Sequence, residues 1–234
     1  ECLNKVLVEN GPGHIATGWV KYISPTTLGD GYLRYEAWLN ELCSSGNSYK
    51  DIYRECVIPS PCWMLAREDL MLADAFNPNT YPEDYDLCFR FYANKLSVAF
   101  SPKILHYWRD RPDRISRTGA AYADNNFLNL KLRYFLKLEW DAQRPLVLWG
   151  AGKKGKIVAK LLLKQEVEFT WVTNNPRKQA VNIYGKVLQS TAIIAQLPQP
   201  QIIIAIANVE AQVKIRAFLN AQQLHERQAY TFFC

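Results

Sequence analysis

The sequence predicts an α/β protein in two parts: an irregular α+β portion, then a small parallel-sheet domain. Three observations carry this. The 234 residues are 49% hydrophobic and 13% aromatic, enough to bury a sizeable core and to make two domains. Up to about Arg117, helix-period and strand-period segments follow one another without a regular alternation. From Pro145 the texture becomes regular β-α alternation, which implies a parallel sheet covered on both faces.

In order along the chain, His14–Ser24 alternates as a strand does, and Leu33–Cys43 has helical apolar spacing through Leu33, Ala37, Trp38 and Leu42. A loop rich in Ser, Gly and Asn, Ser44–Asp51, follows. Cys62–Leu65 reads as a short buried strand, Arg67–Phe76 as a helix and Asn77-Pro78-Asn79 as a turn. Next come a helix opened by Pro82 and strands near Ser97–Phe100 and Lys103–Trp108. Thr118–Asp141 has the three- and four-residue steps of a long helix and links the two parts. Beyond it, Leu146–Trp149, Val167–Val172, Gln201–Ala207 and Gln228–Phe232 read as strands. Lys153–Lys164, Thr191–Gln196 and Val209–Ala221 read as the helices between them. The domains are therefore expected at 1–118 and 143–234, with a linking helix at 119–142.

Charged residues at 21% argue against wholesale disorder, and the net charge of +6 suits an anionic ligand or a solvated basic surface. No aromatic-plus-basic code of a nucleic-acid module is present, so no nucleic-acid partner is expected. Six cysteines show no CxxC and no metal-ligand spacing with the three histidines. Cys62 and Cys88 read as reduced and buried, which favours the cytoplasm. Apolar runs such as Ile202–Ile206 are far short of the roughly 20 residues that span a bilayer. The chain opens on Glu1 rather than Met, and is expected to be a C-terminal fragment.

The most informative stretch is Tyr81-Pro82-Glu83-Asp84-Tyr85-Asp86-Leu87-Cys88-Phe89-Arg90. Proline followed by acids is an ordinary helix start. At about 100° per residue, Leu87, Cys88 and Phe91 form the apolar face, and Asp84 lies in its middle. Glu83, Asp86 and Arg90 share the opposite, polar face. An inward carboxylate at a helix N-terminus is either a cap or a working acid/base. Downstream, His106-Tyr107-Trp108-Arg109-Asp110-Arg111-Pro112-Asp113-Arg114-Ile115-Ser116-Arg117 carries four arginines, whose forks match phosphate oxygens.

The order of these pieces resembles the acceptor-side half of the family 2 glycosyltransferases of GT-A fold, across roughly Glu1–Thr118. The resemblance implies inverting transfer from a nucleotide-sugar donor to a glycan or lipid-linked acceptor in bacterial polysaccharide or glycoconjugate synthesis. It implies Asp84 as general base, with Glu83 as the weaker candidate. His106, Arg109 and Arg114 would close over the diphosphate, His106 in some relatives binding the metal. Trp63 or Trp108 would stack on a sugar. A divalent Mn or Mg ion is expected of the full-length enzyme, at the inner membrane face. The family's Asp-x-Asp and its nucleotide-binding strands are missing upstream of Pro82, so this chain is expected to be inactive alone.

Leu146–Gly155 is a strand running into Gly150-Ala151-Gly152-Lys153-Lys154-Gly155, a G-x-G-x-x-G loop, and then a helix. Glycines permit the tight turn and close approach of a phosphate, and Lys153 adds charge. The acid that should follow the second strand is replaced by Thr173-Asn174-Asn175-Pro176-Arg177-Lys178, which argues against NAD(P). Trp149–Lys156 resembles the small Rossmann-like modules appended to some bacterial sugar-modifying enzymes, where a homo-oligomer contact is a further expectation. Two other readings stand beside the transferase. One is a nucleotide-dependent oxidoreductase or sensor built on Gly150–Gly155, and the other a non-catalytic interaction module in which Asp84 only caps its helix.

Overall fold

The computed structural model describes residues 1–25, 27–78, 80–111 and 127–234. The chain forms two compact units, Glu1–Asp124 and Asn125–Cys234. Among the described residues, no helix is long and apolar enough to cross a membrane.

In the first unit, helix α1 (Cys2–Asn10) ends at Gly11, whose φ of 77° stops the helix. Strand β1 (His14–Ile23) runs through the middle of a three-stranded sheet of order β2-β1-β3. It is antiparallel to β2 (Trp63–Leu65) and parallel to β3 (Ser97–Arg109). The two strands expected at 97–108 are one. Gly18 pairs with Ser101 and Trp19 with Ile104, so Pro102 and Lys103 fall in a register shift. Proline has no N–H to give a ladder, and the irregularity carries it without ending the strand.

Helix α2 (Asp30–Ser44) brings Leu39 and Cys43 into one apolar cluster with Val20 of β1 and with Cys62. Helix α3 (Arg67–Leu72) is shorter than expected and gives way to a turn. Helix α4 (Glu83–Ala93) is the most buried helix segment of this unit: Tyr85 through Phe89, and Phe91, are all inside. Pro82 stands just before it as N-cap, not within its first turn, after a cis peptide bond. The Tyr85 hydroxyl donates to the Ile52 carbonyl, and the Tyr85 and Phe89 rings stack at 4.9 Å.

One orientation derived from helical periodicity is corrected here. Asp86 and Arg90 do not share a solvated face, for Asp86 is only 1% exposed. The Arg90 Nε donates to Asp86 at 2.9 Å, while its Nη1 donates to the carbonyls of Ala73 and Ala75. The segment after α3 folds over this side of α4, so the pair lies beneath it. Helical spacing gives a direction but not what another segment will cover.

The second unit begins, in its described part, with α5 (Phe127–Leu138); positions 118–126 of the expected linking helix lie outside the described residues. Five strands form one parallel sheet of order β10-β9-β4-β5-β8. These are β4 (Leu146–Trp149), β5 (Thr170–Thr173), β8 (Gln189–Ser190), β9 (Gln201–Ile204) and β10 (Tyr230–Phe232). Every residue of β4 and β9 is buried, as befits the inner strands of a covered parallel sheet. A small antiparallel pair, β6 (Asn182–Ile183) with β7 (Lys186–Val187), precedes β8. Helices α6 (Lys153–Lys164) and α7 (Val209–Asn220) follow β4 and β9, and Thr191–Gln196 is a 3₁₀ helix. Val147, Trp149, Val172, Ile204, Ile215 and Phe232 belong to one apolar core. This unit is mixed α/β with a parallel five-stranded sheet, which is the fold class expected of it.

Candidate functional site

Two places gather the side chains that the sequence singles out. In the first unit, α4 presents Asp84 to a cavity of about 170 Å³, shared with Ile58, Trp63, Phe76, Glu83 and Leu87. The inward direction agrees with the helical phase. Asp84 Oδ1 accepts from the Tyr85 N–H at 2.8 Å. Burial holds its carboxyl above the ordinary value of 3.8, and the nearby Glu83 and Glu55 charges push the same way; the Tyr85 N–H opposes them. Desolvation therefore opposes the help that the helix dipole gives to the ionised form.

Trp63 is half-buried, with its ring edge-on to Phe91 at 6.0 Å. Trp108 sits in an aromatic cluster, 5.1 Å from Tyr22, 6.3 Å from Tyr35 and 5.8 Å from His106. Burial lowers the His106 pKa below 6.5. Arg109 is exposed at the end of β3, and Arg114 lies outside the described residues. Trp63, Glu83 and Asp84 are therefore brought to one cavity, while His106 and Trp108 pair with each other along β3. Among the described residues no three His, Cys, Asp or Glu side chains are grouped to hold a metal ion, so the expected Mn or Mg finds no ligand set there. All six cysteines are thiols.

In the second unit, the loop between β4 and α6 requires its glycines. Gly150 has φ of 123°, a conformation that side chains rarely adopt. A Cβ on Gly155 would lie 2.0 Å from the Gly150 carbonyl oxygen, so only glycine lets α6 start this close to the strand. Gly152 is different. Its φ is −86°, and a Cβ there would meet nothing within 4 Å. The close-packed glycines shape the loop, and the third leaves open space above it.

That space has the character of an anion site. Gly152 stands at the N-cap of α6 and has no side chain to bond the first-turn amides. The first turn holds no acid but two lysines, Lys153 and Lys154, at the positive end of the helix dipole. Lys178 Nζ donates to the Ala151 carbonyl at 3.1 Å, and the buried Trp171 indole donates to the Gly150 carbonyl at 2.8 Å. Both contacts were missed from sequence. Lys178 had a signal, being a lysine just after the second strand; Trp171 had none, since its role depends on β5 lying beside β4. Beyond β5, Asn174 is exposed and the Asn175 side chain accepts from the Arg177 N–H at 3.0 Å. Next to the loop, the C-terminal ends of the strands border a cavity of about 340 Å³ that includes Trp149, Asn174, Thr191 and Phe218.

No family model matches the chain, and no curated protein does. Among solved structures it is similar to that of RSP, a Rex-family repressor, at 12% identity over 88% of each chain, with a TM-score of 0.33. A likeness at that level carries neither a shared fold nor a role to this chain. The glycosyltransferase expectation is corrected on these findings: no family model and no curated protein supports it. With it go the enzyme assignment, polysaccharide synthesis, the nucleotide-sugar donor and the glycan or lipid-linked acceptor. The exclusion of nucleic acid is withdrawn with them. The physical reason the motif misled lies in α4. Two residues of its Glu-Asp-x-Asp-Leu-x-x-Arg pattern, Asp86 and Arg90, are tied to each other and to the turn after α3, a structural role that needs no chemistry.

Proposed function

We propose that residues 143–234 form a Rossmann-like domain that binds a phosphate-bearing nucleotide. The observation that supports this is the placement of the Gly150–Gly152 loop. Numbered along the unit, the large sheet runs fifth, fourth, first, second, third, so the strand order reverses beside β4. In open α/β sheets of that order, ligands bind at the carboxyl ends of the strands where the order reverses, and β4 delivers the loop to that point. Phosphate oxygens would accept from the first-turn amides of α6, with Gly152 keeping the approach clear and Lys153 supplying charge. Asn174 and Asn175 stand where NAD-binding chains carry an acid for the ribose hydroxyls. That difference favours a nucleotide held chiefly through its phosphates.

The test is calorimetry of the full chain with ADP, GDP, CDP, UDP, NADH and NADPH. At least one is expected to bind, and Gly152→Val to weaken it about tenfold or more, a loss of about 1.4 kcal/mol, while the chain stays folded at the assay temperature. Binding by none of the six, or binding indifferent to Gly152→Val, overturns the proposal.

A further inference from the structure

Trp149 ends β4 and is 3% exposed, yet its Nε1–H has no hydrogen-bond partner among the described residues. Buried donors are nearly always paired, and one left alone carries a desolvation cost without return. The same residue borders the 340 Å³ cavity at the carboxyl end of the sheet. The cavity's other walls combine apolar surface from Ala211, Ile215 and Phe218 with the polar Asn174, Thr191 and Asn208 and the charged Glu210 and Lys214. Phe218 meets the Trp149 ring edge-on at 5.5 Å. Ligand pockets run from roughly 300 to 1,000 Å³, so this one is of a size for a single flat heterocycle with its sugar and not for a dinucleotide.

Resting on the nucleotide reading above, we infer that this cavity seats the nucleoside of the bound nucleotide, with Trp149 Nε1 donating a hydrogen bond to an acceptor on it. The phosphate lies on the loop that begins at Gly150, one residue beyond Trp149, so one ligand spans both. A planar base would lie along the apolar wall, with its polar rim toward Asn174 and Thr191. The buried donor thereby gains its partner only in the complex, which makes nucleoside recognition, and not phosphate capture alone, the source of selectivity.

The experiment compares the tightest binder among ADP, GDP, CDP and UDP with inorganic pyrophosphate on the full chain. Trp149→Phe is expected to weaken the nucleotide about tenfold and to leave pyrophosphate unchanged, whereas Gly152→Val weakens both. Should Trp149→Phe fail to fold, two readouts remain. The Trp149 indole N–H resonance of the ¹⁵N-labelled chain should shift downfield with the nucleotide and not with pyrophosphate. The rim variant Asn174→Leu should weaken the nucleotide and spare pyrophosphate. An unmoved indole resonance, or equal losses for nucleotide and pyrophosphate in Trp149→Phe, overturns the inference and leaves the phosphate site standing. Binding by NADH or NADPH alone overturns the inference and spares the reading beneath it; nucleotide binding indifferent to Gly152→Val, or no binding by any of the six, defeats that reading as well.

Discussion

Gly152 and Gly155 lie three residues apart in one motif and answer to different demands. Gly155 is steric, since a methyl group there would sit 2.0 Å from a carbonyl oxygen. Gly155→Ala is expected to cost about 3 kcal/mol or more in chemical denaturation, as overpacking against backbone does. Gly152→Val, with open space and an ordinary φ, should cost far less, about 1 kcal/mol at most, from the poorer N-cap alone. Asp84 makes a second prediction at this scale. Its folded pKa is raised, chiefly by burial, so the folded state binds its proton more tightly than the unfolded one. Stability then falls as pH rises from about 3.8 through the folded value, and the penalty is complete above it. Asp84→Asn should therefore stabilise the chain at pH 7 and lose that advantage below the ordinary carboxylate range. A thermal-melt series from pH 3 to pH 8 checks this; an advantage that persisted at pH 3 would contradict the assigned cause.

Among the elements, α4 shows how a helix can look catalytic for structural reasons. Asp86 and Arg90 are an i,i+4 pair at 2.9 Å, with side chains 2% and 13% exposed, and the guanidinium also holds the Ala75 carbonyl at 2.6 Å. Arg90→Met would strand a buried carboxylate and two carbonyls, with an expected loss of about 3 kcal/mol in urea unfolding. Adding Asp86→Leu to that variant should recover part of the loss, because the stranded charge is removed. No recovery would mean that the carbonyl contacts, and not the ion pair, carry the stabilisation. In the strand-loop-helix element of the second unit, the sequence pattern and the structure agree. A buried apolar strand, glycines in the turn and an amphipathic helix are all local features, each visible from a few neighbouring residues.

At the scale of the molecule, ligand binding and stability are linked. A nucleotide that binds only the folded chain, present at 100 times its Kd, should add about 2.7 kcal/mol of stability. The melting temperature should rise with ligand concentration in the unaltered chain and stay flat in Gly152→Val. High salt should blunt the rise, because phosphate capture by Lys153 and its neighbours is partly electrostatic.

The local elements are legible in the sequence alone: the inward phase of Asp84, the strand and glycine loop at 146–155 and the regular alternation beyond Pro145. These depend on periodicity and turn chemistry over a few residues. Only the tertiary structure decided the rest. It set β9 beside β4, so that the strand order reverses at the glycine loop. It covered Asp86 and Arg90 with the segment after α3, carried β3 unbroken through Pro102, and brought Lys178 to Ala151 and Trp171 to Gly150. It also left the Trp149 indole at a cavity without a partner. Each of these joins residues far apart in the chain, and such contacts are selected by packing and polar satisfaction, which no local pattern records.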